Sequence, residues 1–533
     1  MESTKRFNGG PAALALVFCL MACHPAGSGL RMRMSEQGIA SLQFGGWDFV
    51  SDGRFRVGHV DMRMPGGELV AADLHSSSKY NSSRGEIEQI FPWGVITTRS
   101  KVNENRLDLT IETANRSPNS IEHVFYEPLT LKFATKPMEY DGNTPLLAVN
   151  MGDPTVIPLT AAPTQVVLTN EDVSQPLVAG FPWALDKPTN TVFPLRINTG
   201  KENMYPDSLP EVHRSIPPGA KDTFHFSLTF KASARKGEIE ELPVYRTFRS
   251  SFPARLHWKD RRPIGQLILG RSGTGWTTNP RGWFLDPQLN VTTAAGVAAF
   301  RARLLEFADY SISYLQNLNA QGMVTWDIEG EQYAQPVSYV GDPRLLSYLA
   351  PEMAGAADEY FAKFRKAGFR VGVCLRPQTF VAATAGNNAR QDPSSDPAQT
   401  LINKIRFARD RWGATLFYVD SNGNPSYPLD VRVFQEVAKA FPDVLLIPEH
   451  SNTAYFSVTA PYAELRSGFN ATPAPMLTLY HDAFSVINVT DGPLDEAYPK
   501  LETAVRRGDT LLTRAWFADP AIDKVRTIYS YLP

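Results

Sequence analysis

Cysteine is almost missing from this chain. Three occur in 533 residues, and Cys19 and Cys23 both lie in an apolar N-terminal leader, so Cys374 has no partner and a disulfide framework is excluded. Neither sign of charge is in excess: 53 basic residues face 55 acidic ones. That balance removes the general attraction to nucleic acid or anionic lipid that a basic surface would create. The nine histidines show no paired spacing of the kind a metal site uses, so neither a metal nor another cofactor is expected. There is no Gly-x-Ser-x-Gly elbow, which argues against a serine hydrolase. Gly270-Arg-Ser-Gly-Thr-Gly275 lacks the Lys-Ser/Thr ending of a phosphate loop. Asp420-Ser-Asn-Gly-Asn424 opens like a calcium loop, but Pro425 and Val431 stand where glycine and the final Glu are required.

Long apolar runs are confined to the N-terminus. Lys5 and Arg6 precede an apolar centre at 11–23, the pattern of an export signal, too short to span a bilayer. Leu20-Met-Ala-Cys23 resembles a bacterial lipobox, which makes Cys23 the expected lipidated first residue of the mature protein. The expectation is an exported bacterial lipoprotein, at the outer membrane, periplasm or cell surface, touching membrane only through its lipid. A short linker, 24–33, would follow.

Residues 34–244 alternate in period two between turn-rich clusters. Leu107, Leu109 and Ile111, then Leu129, Leu131 and Phe133, then Phe224, Phe226, Leu228 and Phe230 mark half-buried antiparallel strands. So many in roughly 210 residues predict an all-β sandwich. Residues 245–262 carry six Arg or Lys and read as a solvated basic connector.

From 263 to 533 the pattern changes to strand–helix alternation. Apolar runs at Gln266–Leu269, Met323–Trp326, Arg370–Leu375, Leu416–Val419, Leu445–Pro448, Met476–Tyr480, Phe484–Val489 and Thr510–Thr513 predict eight buried parallel strands. Eight in about 270 residues fit an α/β domain of the (β/α)8, or TIM, barrel type. A polar residue follows nearly every run, giving a rim set of Asp327, Glu329, Arg376, Asp420, Glu449, Asp482 and Asp491. The C-terminal ends of barrel strands are where such folds hold their chemistry. Two carboxylates flanking one bond are what glycoside hydrolysis needs.

Two stretches resemble a known group. Gly368-Phe-Arg-Val-Gly-Val-Cys-Leu-Arg-Pro377 is similar to the third strand of α-galactosidase-type barrels, and Phe417-Tyr-Val-Asp420 to the fourth. The nearer likeness, over roughly residues 320–452, is to endo-α-N-acetylgalactosaminidase-type barrels, where a strand-four Asp is followed by a strand-five Glu. The resemblance implies a retaining glycoside hydrolase of an α-galactoside or α-N-acetylgalactosaminide, with Asp420 as nucleophile and Glu449 as acid/base. The α-galactosidase group instead carries its acid/base Asp on strand six, to which Asp482 would correspond. Asp327, Glu329, Arg376, Asp482 and Trp326 would bind substrate, with Asn422 and His450 orienting groups beside the acids. Trp276 and Trp516 could add flat faces for sugar rings. The competing expectation is a non-catalytic glycan-binding surface lipoprotein on a barrel scaffold.

Overall fold

The computed structural model describes residues 29–135, 156–161, 164–173, 178–180, 191–199, 214–232, 243–270, 276–331, 339–382, 384, 389–424, 427–466, 471–490, 492–515 and 522–530. The export signal with Cys23, and Asp491 and Trp516, lie outside these residues.

The first half is an antiparallel sandwich. A seven-stranded sheet faces a six-stranded one, with a small three-stranded sheet beside them. The alternation read from the sequence is what fills the space between. Leu107, Leu109, Ile111, Leu129, Leu131, Phe224, Phe226 and Phe230 are all buried in one cluster. The strand Thr164–Asn170 departs from simple alternation because both of its faces are covered. Val166 and Leu168 point into the sandwich core, whereas Val167 joins the large cluster built by the barrel and its helices. The first strand, Arg31–Ser35, begins inside the stretch assigned to a linker.

The connector is not a solvated one. Residues Pro243–Ser251 form a helix whose Val244, Tyr245 and Phe248 are buried against the barrel's outer cluster. Beyond it, Leu256 and Trp258 enter the cluster that fills the barrel interior. The Trp258 indole N–H donates to Gln321 Oε1 at 2.9 Å, and Arg370 lies over its ring at 4.9 Å. These residues precede the first barrel strand, so they close the N-terminal end of the barrel. Six basic residues suggested solvent, but the apolar residues between them decide the packing.

Eight parallel strands follow: Ile264–Leu267, Gly322–Thr325, Arg370–Leu375, Leu416–Val419, Leu445–Pro448, Tyr462–Glu464, Val486–Asn488 and Thr510–Arg514. Pairing runs in sequence order and closes between the first and eighth strands. Strands five and six meet through one bond, Ala460 N–H to Leu446 O at 3.0 Å. The fold is therefore a β-sandwich followed by a (β/α)8 barrel.

One strand differs from expectation. Met476 and its neighbours lie in a helix, Ala474–Leu479, and strand six is Tyr462–Glu464. Pro473 and Pro475 explain this, since proline suits the first turn of a helix and removes a ladder donor from a strand.

Alternation within the barrel strands fixes which side chains reach the centre. Val324, Cys374, Leu416, Tyr418, Leu445, Ile447, Val486 and Leu512 fill the interior. Met323, Val371, Val373, Phe417, Val419, Leu446, Ile487 and Leu511 face the helices. Extending that period-two order to the C-terminal ends turns Arg376, Asp420, Glu449 and Glu464 inward.

Candidate active site

The third, fourth and fifth strands pair in register, with Leu375 opposite Val419 and Val419 opposite Pro448. The next residues, Arg376, Asp420 and Glu449, therefore stand side by side at the mouth. Adjacent strands are about 5 Å apart. Two backbone bonds hold this alignment past the strand ends: Asp420 N–H to Leu375 O at 2.8 Å, and Glu449 N–H to Val419 O at 3.0 Å.

Ser421 links the two acids. Its hydroxyl donates to Asp420 Oδ2 at 2.9 Å, and its backbone N–H donates to Glu449 Oε2 at 2.8 Å. It can do both because it adopts a left-handed conformation, φ 52°, unusual for a residue with a side chain. Residues held in such states cluster at functional sites.

Asp420 is buried, with 7% of its surface exposed, and its Oδ2 also accepts from Arg376 Nε at 2.5 Å. Arg376 is fixed in turn, its Nη1 donating to Tyr339 O and Gln391 Oε1, each at 2.9 Å. Its guanidinium lies 4.2 Å from the Tyr339 ring centre. Glu449 is differently placed. Burial and then the Asp420 charge raise its pKa, opposed by the Ser421 N–H and by His450. His450 Nε2 lies 3.5 Å from Glu449 Oε2. Of the two neighbouring carboxylates, one is paired with a guanidinium and the other is inclined to keep its proton.

Asn422 locks the two loops together. Its Nδ2 donates to His450 O at 2.8 Å and its Oδ1 accepts from His450 N–H at 2.9 Å. It is fully buried, so it holds the site's frame and has no surface for a sugar. An aromatic floor lies below the acids: Trp326 stacks on Tyr418 at 4.0 Å between centroids, and Tyr418 meets Tyr462 edge-on at 5.0 Å. Burial, followed by the Asp420 charge, pushes the Cys374 thiol well above its ordinary pKa, which suits a packed interior residue and not a nucleophile.

Three expected substrate-binding carboxylates lie elsewhere. Asp327 is fully buried and braces the loop after strand one, accepting Leu269 N–H at 2.9 Å and Gly270 N–H at 2.6 Å. Glu329 is also fully buried, and its pKa is pushed up to about 7, by burial first. Period-two order just past Thr325 turns Asp327 away from the barrel centre, whereas Glu329 lies in the turn closed by the Gly330 N–H to Asp327 O bond, within the electrostatic reach of Asp342 and Lys404. Asp482 precedes strand seven, at the opposite end of the barrel, where its carbonyl accepts from Arg261. The strand-six position assigned to it belongs to Glu464.

Glu464 was not foreseen. Its carboxylate accepts from the Tyr462 hydroxyl at 2.7 Å and from Arg466 Nε and Nη2 at 2.8 and 3.1 Å. Asn488 continues the network by donating to the Tyr462 hydroxyl at 2.7 Å. Strand six is three residues long and begins after Pro461, so no apolar run announced it. Inward parity on strand six is the one signal that could have found Glu464, and it needs the strand first.

The Asp327 role is directly measurable. Asp327→Ala should orphan two buried backbone donors and cost about 2–6 kcal/mol, at about 1–3 kcal/mol for each unsatisfied group. Urea unfolding of the variant beside wild type checks this, and an unchanged midpoint would contradict the bracing role.

An antiparallel sandwich leading into a (β/α)8 barrel, with facing carboxylates on strands four and five, places the chain in a definite structural class. Among solved structures, the chain is similar to α-N-acetylgalactosaminidase NagBb from Bifidobacterium bifidum in complex with GalNAc. The TM-score is 0.56, over 94% of this chain and 91% of that one, at 11% sequence identity. The same protein in complex with Gal-NHAc-DNJ superposes with a TM-score of 0.53, over 94% and 92%, also at 11% identity. The shared fold thus extends over both halves, beyond the stretch in which the sequence pattern carried the resemblance. No family model and no curated protein matches the chain.

Proposed function

We propose that this chain is a retaining glycoside hydrolase that cleaves an α-linked galactoside or N-acetylgalactosaminide. The observation that carries this is the bridge made by Ser421 between Asp420 and Glu449, two inward carboxylates on adjacent strand ends. Neighbouring strands bring such groups within reach of the roughly 5–5.5 Å separation that a retaining pair uses. The name of the similar B. bifidum protein supports an N-acetylgalactosamine-type sugar.

In the first step Asp420 attacks the anomeric carbon as the bond to the leaving oxygen breaks, and that oxygen takes the Glu449 proton. In the second, Glu449 accepts a proton from water as the water displaces Asp420 from the sugar. Arg376 pairs with Asp420 and aims it. Proton transfer falls to Glu449 and not Glu464, because a bidentate Arg466 holds the Glu464 carboxylate. Trp326 and Tyr462, which pack on Tyr418 below the acids, would border the sugar, with Glu464 on the next strand after Glu449. The protein would act outside the cytoplasm on a glycan, held to membrane by a lipid on Cys23.

The test is release from a panel of aryl α- and β-glycosides by protein beginning after Cys23, with Asp420→Asn beside it. Release from one α-glycoside, lost in the variant, is expected. Release from none, together with glycan binding on an array, would replace this reading by the non-catalytic one.

A further inference from the structure

A lysine with no exposed surface stands behind the nucleophile. Lys404 belongs to the helix Pro397–Trp412 and lies on the same buried face as Leu401, Ile405 and Ala408. Its Nζ donates to three carbonyls: Arg376 O at 2.6 Å, Gln378 O at 2.9 Å and Gly341 O at 3.2 Å. Asp342 Oδ2 is 3.6 Å away, itself held by Arg344. Taking an ammonium out of water costs several kcal/mol, whereas an apolar side chain of the same length would pack there without that cost. Three converging acceptors offset the burial, and they are not arbitrary ones.

Each acceptor belongs to a segment that touches the candidate nucleophile's surroundings. Gly341 O also accepts the Arg376 backbone N–H, at 3.0 Å. At φ +62°, Gly341 presses so close that an added Cβ would meet Arg376 N at 2.6 Å. Gln378 Nε2 donates to Ser421 O at 2.7 Å. One amine therefore ties the loops after strands two and three to each other and to the following helix. Those loops carry Arg376, which grips Asp420, and Gln378, which grips Ser421.

We propose that Lys404 is a positioning residue for Asp420, acting through the Arg376 guanidinium and the Gln378–Ser421 contact without touching substrate. The inference rests on Asp420 as nucleophile. Lys404→Met removes the donors at nearly constant volume and should lower kcat on the order of 100-fold, the effect of a misplacement of about 1 Å, with KM little changed. In an Arg376→Ala background the same substitution should add little, since both changes cut one path. Additive losses, or wild-type kcat in Lys404→Met, would overturn the proposal. A second readout does not depend on turnover: the Arg376 Nε–H signal in a proton–nitrogen NMR spectrum, assigned by its absence in Arg376→Ala. It should be present in the wild type and shifted or lost in Lys404→Met. An unchanged signal would overturn the proposal whether or not the chain hydrolyses a glycoside. Full activity in Asp420→Asn would instead sink the nucleophile assignment. If Lys404→Met fails to fold, Lys404→Gln, which keeps a shorter donor, is read in the same two ways.

Discussion

Asp420→Asn should abolish turnover, with kcat falling on the order of 10⁴-fold or more, the scale seen when a covalent catalyst loses an essential group. That corresponds to about 5.5 kcal/mol of transition-state stabilisation. The amide keeps the shape and can still accept from Ser421, but it neither attacks the anomeric carbon nor neutralises Arg376. Arg376 retains the Tyr339 carbonyl and Gln391 as acceptors, so the mouth of the barrel keeps its arrangement. Near-UV circular dichroism should match wild type while glycoside release disappears. Release at the wild-type rate would remove Asp420 from the mechanism.

Glu449→Gln should have the second largest effect, and it should depend on the leaving group. Loss of a positioned general acid costs about 10²–10⁴-fold. A sugar alcohol, which departs poorly without a proton, should suffer fully. A nitrophenolate departs readily as an anion, so its formation of the glycosyl-enzyme should suffer least. Azide, which needs no general base, should restore turnover of such aryl glycosides and yield an α-glycosyl azide. The pH profile adds a signed expectation. Burial and the Asp420 charge raise the Glu449 pKa, so its protonated form persists above the ordinary glutamate range. Activity should therefore decline as pH rises through that raised value, and this limb should vanish in Glu449→Gln. Equal losses on every leaving group with an unchanged basic limb would assign the acid elsewhere, Glu464 being the next carboxylate on the rim.

Seven of the eight barrel strands were legible because parallel strands covered on both faces read as unbroken apolar runs. Asp420 and Glu449 were legible for the same reason, each being the first charge after such a run. Strand six was not. Tyr462–Glu464 points a hydroxyl and a carboxylate inward and has no apolar run, whereas Met476-Leu-Thr-Leu479 has the run but follows helix-opening prolines. With the wrong strand came Asp482 in place of Glu464. Asp327 and Glu329 were placed by nearness to a strand end alone; counting parity from Val324 turns Asp327 outward, and a turn at 327–330 ends the count before Glu329. The connector misled because its arginines and lysines outnumber Leu256 and Trp258, yet burial of those two decides where the segment lies. Lys404 left a trace that could have been followed: a cation three residues after Leu401 and one before Ile405, inside the apolar stripe of a helix. Its three carbonyl partners lie on loops distant in sequence, which no local pattern brings together.

The most direct measurement is to trap the glycosyl-enzyme with a fluorinated α-galactosyl-type fluoride, whose second step is slow, and to map the label by mass spectrometry of peptides. One sugar per chain is expected, on the peptide containing Asp420, and none on Asp420→Asn. A label on the Glu449 or Glu464 peptide, or inactivation with no covalent sugar, would contradict Asp420 as the nucleophile.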